Sequence, residues 1–543
     1  MASRLILLVF TFLLGSRLTA QNIVFNWQNC IEGEMNVVSR DIVPISDGYL
    51  VVAQYEKPDS SYPSSNSTTD VWLLKLDNSG NVLWGKFFGG SSGDGPSRLV
   101  ASSDGYFYII NATSSEDGDV TYDPYPESID FWIIKIDSVG NKIWDKMVGG
   151  SCREYVMDGV ATSDGGVVAM GFTCSADGDV TYNYGGFDIW AFKLDSTGNK
   201  KWNFTLGSSG LEIGYSVLQT SDGGYLLCGM GMINTDGNIE CVPHSDRYEG
   251  LLVKLDSNGV MQWQRCYGGS EDDGIKTLCE INDGYILVGI TASDDGDMAG
   301  AGYHYGLDHI GNKTYDIWIS RVDLYGNIIW QKCFGGSGYD SPNRILKTGN
   351  NLFIFGITSS FDGDVSGNHS LSVYYDEIWV LKVSSSGTLL WQRCIGGKAS
   401  EYISSGVVQK SDSTWVVAAS AQGTSTGDII CGPPLGETDY YIWAFEFADT
   451  NLYASTQHPE TIHVTVKPNP AGQWAVFDYT LPGNTGAAVL TIQDALGRKI
   501  EAFVLTGQKG QKLWNTNGFP DGIYFYSLRA GTYIKTDKLL IRK

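Results

Sequence analysis

Tyr315-Asp-Ile-Trp-Ile-Ser-Arg-Val-Asp-Leu-Tyr-Gly-Asn-Ile-Ile-Trp-Gln-Lys-Cys-Phe-Gly-Gly336 decides the fold. Two runs rich in Ile, Val and aromatic residues flank Asp323-Leu-Tyr-Gly-Asn327. β-Branched and aromatic side chains suit a pleated, half-buried surface. Gly326 can take the positive φ that a tight turn between strands requires. The stretch reads as a β-hairpin, with Trp318 in its first strand, Trp330 in its second and a Gly-Gly pair at its end.

The pattern recurs about every 60 residues, a period that marks arrays of one structural unit. Trp72 leads through Gly80-Asn81 to Trp84, Trp132 through Gly140-Asn141 to Trp144, and Trp190 through Gly198-Asn199 to Trp202. Trp379 leads through Gly387 to Trp391, and a weaker copy runs from Leu251 to Trp263. Between these hairpins lies a second repeated turn: Ser46-Asp-Gly-Tyr49, Ser103-Asp-Gly-Tyr106, Ser163-Asp-Gly-Gly166, Ser221-Asp-Gly-Gly224 and Asn282-Asp-Gly-Tyr285. Each unit thus holds four strands, A and B around the Ser-Asp-Gly turn, C and D around the Gly-Asn turn. Four antiparallel strands per repeat predict a propeller blade.

Strand C occurs seven times, the last around Trp443, but strand D follows only the first six copies. The missing copy stands at the other end. Asn26-Trp-Gln-Asn-Cys-Ile31 matches Trp330-Gln-Lys-Cys333 and Trp391-Gln-Arg-Cys394. A split unit serves a closed ring, because it pins the ends together and leaves no free edge. The expectation is an all-β chain: a seven-bladed β-propeller over residues 21–450, closed by its N-terminal strand. Thirteen of the sixteen Trp fall in strands C and D, where large aromatics would fill the space between blades.

Residues 1–20 read as a signal peptide, with Arg4 before the apolar run Leu5 to Leu14, so export is expected. No other stretch is long enough to span a bilayer. The whole chain carries −24. Ten Lys/Arg against six Asp/Glu in 451–543, and two Arg in 1–20, leave the propeller at −30. That argues against nucleic acid, whose phosphates need a basic surface. Cys152 and Cys174 fall in two loops of one blade and are the expected disulfide; Cys228 and Cys279 are a second candidate pair. Cys30, Cys266, Cys333 and Cys394 share one strand D position and are expected as small buried side chains.

Residues 451–462 read as a linker. Residues 463–543 carry short alternating strands and predict a small Ig-like β-sandwich. Pro468-Asn469-Pro470, the turn Asp494 to Arg498, Gly522-x-Tyr524 and the terminal stretch Lys538 to Lys543 closely resemble the type A C-terminal sorting domain of the type IX secretion system of Bacteroidota. The resemblance implies passage across the outer membrane by that machinery and removal of the tail by its sortase. It also implies a protein held at the cell surface or released. The repeats themselves resemble a propeller family common among such secreted proteins, which implies fold and location but no activity.

Candidate chemistry gathers on the face where the B–C and D–A loops emerge. Asp117-Gly-Asp119, Asp177-Gly-Asp179, Asp295-Gly-Asp297 and Asp362-Gly-Asp364 place carboxylates at a spacing that can hold Ca²⁺. The same residues also make tight, self-capped turns. Asp94, Glu154, Asp272, Asp273, Asp340 and Glu401 add carboxylates from the D–A loops. The long B–C loops of blades four to six hold His244, Tyr303, His304, Tyr305, Asp308, His309, His369, Tyr374 and Tyr375, a set suited to a glycan or protein ligand. There is no nucleophile elbow, P-loop or dinucleotide signature. Binding without catalysis is the expectation, with a secreted polysaccharide hydrolase or lyase as the alternative.

Overall fold

The computed structural model describes residues 23–33, 35–57, 68–423, 426–430, 439–449, 463–480, 488–495, 497–505, 509–530 and 533–543. The expected signal peptide and linker lie outside them. The chain divides into two compact units, Met1–Ala448 and Asp449–Lys543.

The first unit is a β-propeller of repeated antiparallel sheets. Sheet 1 runs Val37–Ile45, Gly48–Lys57, Thr68–Leu76, Val82–Phe88, paired in that order, which are strands A to D. Sheets 2 to 6 repeat it over residues 94–148, 154–206, 211–267, 273–334 and 340–395. Sheet 7 takes strand A in two pieces, Glu401–Tyr402 and Val407–Ser411, then Thr414–Gln422 and Tyr440–Asp449. Its outer strand is Ile23–Ile31, from the other end of the chain. The side chains lock this pairing. Asn26 and Trp27 donate to Glu446 at 2.6 and 2.9 Å, and Trp443 Nε1 donates to Gln28 at 3.1 Å.

The Trp repeats do two jobs. Those of strand C at 132, 190, 318, 379 and 443 are fully buried in the sheet cores. Those of strand D lie under the C–D turn of the next sheet. A Cβ on Gly140 would meet Trp84 at 2.9 Å, and one on Gly387 would meet Trp330 at 2.9 Å. These turn glycines also have φ near +80°, so no other residue fits either the backbone or the space. Gly80 stands over Trp27 in the same way, which seats the N-terminal strand against sheet 1.

Every inner strand of sheets 1 to 6 carries a β-bulge at the same place, beside Asp41, Arg98, Asp158, Ser216, Thr277 and Arg344. A bulge re-aims the side chains around it. Here those six residues line a single cavity of about 490 Å³, to which all seven inner strands contribute.

The second unit is a two-sheet sandwich. His463–Lys467, Trp474–Thr480 and Lys509–Asn515 form one sheet; Lys499–Leu505, Ala488–Gln493, Gly522–Ala530 and Tyr533–Ile541 form the other. Phe477, Leu490, Trp514, Tyr526 and Leu539 fill the space between. The expected sorting residues meet here. Asn469 Oδ1 accepts the Leu540 N–H at 2.9 Å and its amide donates to the Lys538 carbonyl at 3.3 Å. Lys543 Nζ reaches the Asn517 carbonyl, and the Tyr524 hydroxyl donates to the Pro520 carbonyl, next to Gly522 in chain neighbourhood.

Candidate functional site

The Asp-Gly-Asp loops are corners that tie one sheet to the previous one. Asp117, Asp177, Asp295 and Asp362 each accept a backbone N–H, from Ser91, Ser151, Ser270 and Ser337, at 2.6–2.8 Å. The second carboxylates of three loops, Asp119, Asp179 and Asp364, face the N–H of Gly89, Gly149 and Gly335. Asp297 lies 3.6 Å from His244 Nε2. Among the described residues no group of three or more His, Cys, Asp or Glu is arranged to hold a metal ion.

The D–A carboxylates sit deeper than a loop ligand would. Asp94, Glu154, Asp273, Asp340 and Glu401 open strand A and are fully buried. Each lies at the boundary with the preceding sheet, whose strand C opens on another buried acid: Asp70, Asp130, Glu249, Asp316 and Glu377. Glycine separates the pair. A Cβ on Gly335 would stand 2.5 Å from Asp316 Oδ1 and 2.7 Å from Asp340 Oδ2. Burial raises these acids: Asp273 and Asp340 to about 7, Glu401 to about 9, and Asp130 to about 8 with help from a hydrogen bond to Glu154. At neutral pH such pairs hold protons that ordinary carboxyls have lost. Asp272 differs, accepting from the Tyr248 N–H and the Tyr315 hydroxyl near the surface.

Three of the four loop histidines belong to this framework and not to one site. His304 Nδ1 lies 2.9 Å from Asp316 and its Nε2 3.8 Å from Asp364 of the next sheet. His369 repeats the contact with Glu377, and His244 with Glu249 and Asp297. The hydrogen bonds to Asp316 and Glu377 raise His304 and His369. Each of these three histidines thus sits beside the strand-opening acid of its own sheet. Tyr303 is also structural, its hydroxyl on the Thr314 carbonyl at 2.8 Å. Tyr305 and Tyr375 are exposed outside the groove described next.

Asp308, His309 and Tyr374 do come together. They line a groove of about 600 Å³ between the long loops of sheets 5 and 6, with Tyr339, Phe361 and Asp376. Tyr374 is 70% exposed and Phe361 48%, so broad apolar faces stand open to solvent. The His309 and Tyr374 rings meet edge to face at 6.0 Å. Asp308 is fully engaged. It accepts the N–H groups of Ile310 and Asn312 at 2.9 Å and the Tyr339 hydroxyl at 3.0 Å. Burial is the largest single influence and raises it, but these bonds together outweigh it and hold Asp308 down at about 2. Burial instead raises Asp376. Phe361 fills the variable position before Asp362-Gly-Asp364 and Tyr339 precedes Asp340, places where the repeat fixes no residue type, so neither stood out in the sequence.

The cavity at the centre of the propeller was also not foreseen. Arg98 lies 3.3 Å from Asp41 and 2.9 Å from Asp158, all three buried. They come from sheets 1, 2 and 3, and no local pattern links them.

The expected Cys152–Cys174 disulfide is present, with Cα atoms 5.5 Å apart. Cys266 is not a lone apolar filler; it is bonded to Cys241 of the B–C loop, Cα to Cα 5.8 Å. That loop folds back over strand D, where Gln264 donates to the Asn238 carbonyl. Cys30 is disulfide-bonded as well. Cys228 and Cys279 are free thiols and not a pair, while Cys333 and Cys394 are buried thiols as expected.

Residues 465–542 match the secretion system C-terminal sorting domain. The chain carries a type IX sorting domain and is secreted across the outer membrane, to the cell surface or the extracellular space. Regulatory protein FlaEY of Caulobacter vibrioides is 25% identical over 228 residues, 40% of this chain and 23% of that protein. This chain thus spans about a quarter of that relative's length. Among solved structures, the Fusarium graminearum α-L-arabinofuranosidase Arb93A in complex with an iminosugar inhibitor is 11% identical, over 65% of this chain and 91% of that one, with a TM-score of 0.36. Drosophila Plexin A in complex with Semaphorin 1b is 7% identical over 82% and 92%, with a TM-score of 0.38. No helix among the described residues is long and apolar enough to cross a membrane.

Proposed function

We propose that this chain is a non-catalytic glycan-binding protein, delivered outside the cell by the type IX system and trimmed of its tail by the sortase. We read its seven sheets as one closed ring, supported by Trp27 under Gly80 and by the cavity that all seven inner strands line. The observation that carries the binding reading is the groove between the loops of sheets 5 and 6. Exposed Tyr374 and Phe361 offer flat apolar faces to the C–H surfaces of a sugar ring. Asp376, His309, Ser337 and Ser359 offer polar groups beside them. Asp308 is spent on its own turn, which favours a binding role over a reactive one.

A glycan array followed by calorimetry on the best hit tests this. Tyr374→Ala and Phe361→Ala should each weaken binding about ten-fold with little change in melting temperature. Retained affinity in both variants, or no glycan bound, refutes it. One observation favours a second reading, hydrolysis. Asp376 is raised and Asp308 lowered in a single groove, as in an acid–base split. That reading requires release of reducing ends from a polysaccharide and its loss in Asp376→Asn.

A further inference from the structure

We propose that the central channel of the propeller binds a small molecule carrying an oxyanion, independently of the groove. The channel has a second level, a chamber of about 280 Å³ lined by the bulged residues themselves. Its side chains come from strands far apart in sequence, among them Arg40, Tyr215, Lys276, Asn343 and Ser404. None of its lining residues is a carboxylate. Each next residue along the chain, such as Asp41, Thr277 or Arg344, lines the larger cavity, so the two are successive levels of one passage.

The charges in this passage do not balance. Asp41 and Asp158 are already committed. Between them they hold Arg98 and accept the N–H groups of Ile42, Leu99, Gly159 and Val217. Arg344 faces the same cavity and forms no ion pair among the described residues, though Asp41 and Asp158 attract it at longer range. Its Nε is buried and has no hydrogen-bond partner. Arg40 spends one nitrogen on the neutral Gln54 amide, and its buried Nε also lacks a partner. Lys276 lies 3.7 Å above the Tyr215 ring and makes no ion pair among the described residues. Burial pushes its ammonium down to about 8.

Arg40 and Lys276 thus have no carboxylate counter-ion among the described residues, and Arg344 shares Asp41 and Asp158 with Arg98, in a propeller that carries −30 overall. A buried charge left unpaired is destabilising, and a chain with so many carboxylates could have paired these cheaply. An oxyanion entering the chamber between Arg40 and Lys276 would supply the missing negative charge, one level from Arg344, and guanidinium groups suit the geometry of carboxylate, sulfate or phosphate. Asn343 and Ser404 supply neutral partners for hydroxyls on the rest of the ligand. The chamber's volume limits the ligand to about the size of one sugar acid.

Calorimetric titration of the purified chain with glucuronate, with sulfate and with neutral glucose tests this. Saturable binding of glucuronate or sulfate, weakened by added salt and absent with glucose, is expected; competition between the two shows whether one site serves both. Lys276→Gln and Arg40→Gln should each weaken it at least ten-fold. Both variants remove an unpaired charge, so their ligand-free melting temperatures should equal or exceed that of the parent, which separates lost binding from lost folding. Tyr374→Ala should bind the anion as the parent does. No binding of either anion at 10 mM (roughly the weakest association calorimetry resolves), or unchanged affinity in both channel variants, overturns the proposal.

Discussion

The buried acid pairs make stability depend on pH in a direction that is unusual for acidic proteins, and Asp340→Asn isolates one of them. Asp340 is fully buried beside Asp316, and burial moves it from 3.8 to about 7. A shift of that size corresponds to about 4 kcal/mol. Between pH 4 and 7 the folded state keeps this proton and the unfolded chain has lost it. The folded state therefore binds more protons, and stability falls as pH rises through that window, then levels off above it. Of the total, about 3 kcal/mol is lost between pH 5 and 8. Asparagine keeps the acceptor that takes the Gly336 N–H at 2.9 Å and the Ser360 hydroxyl at 2.8 Å. Its amide has no proton to lose in this pH range. Urea unfolding followed by Trp fluorescence should give similar midpoints for both proteins at pH 5. At pH 8 the variant should be more stable by about 3 kcal/mol. Parallel pH dependence in the two proteins, or a variant weaker at both pH values, would refute the argument that buried Asp340 keeps its proton.

Three other outcomes follow from the same geometry. Deleting residues 23–31 removes the strand paired with Tyr440–Asp449 and the Trp27–Gly80 contact, and should lower the melting temperature by more than 10 °C (roughly the effect of losing several kcal/mol); an unchanged value counts against the closed ring. Asp295→Ala loses the cap on the Ser270 N–H and should cost about 1–2 kcal/mol equally in calcium and in chelator; a loss seen only with calcium present would restore an ion to that loop. Residues 463–543 fused to a reporter should reach the surface of a type IX host, whereas removing Lys538 to Lys543 takes away the partners of Asn469 and should leave the reporter in the periplasm, as read by protease accessibility on intact cells.

The repeat, its four strands and the displaced N-terminal strand were legible in the sequence because they are local. A period-2 apolar run, a Gly that must take positive φ and a Trp every blade each announce themselves within a few residues. The sorting tail was legible for the same reason. The site was legible only where one long loop carried it, as with Asp308 and His309, and where Tyr374 came from the next such loop. The separate clamps of His244, His304 and His369 were not legible. Their partners, Glu249, Asp316 and Glu377, are strand-opening acids whose burial no local pattern reveals. Cys266 found Cys241 by the path of a loop across a strand, which spacing does not encode. The channel is the extreme case. Arg40, Lys276 and Arg344 lie on three strands more than sixty residues apart, and only the packing of the inner strands against one another, with a bulge at the same step of each, brings them to two adjoining cavities.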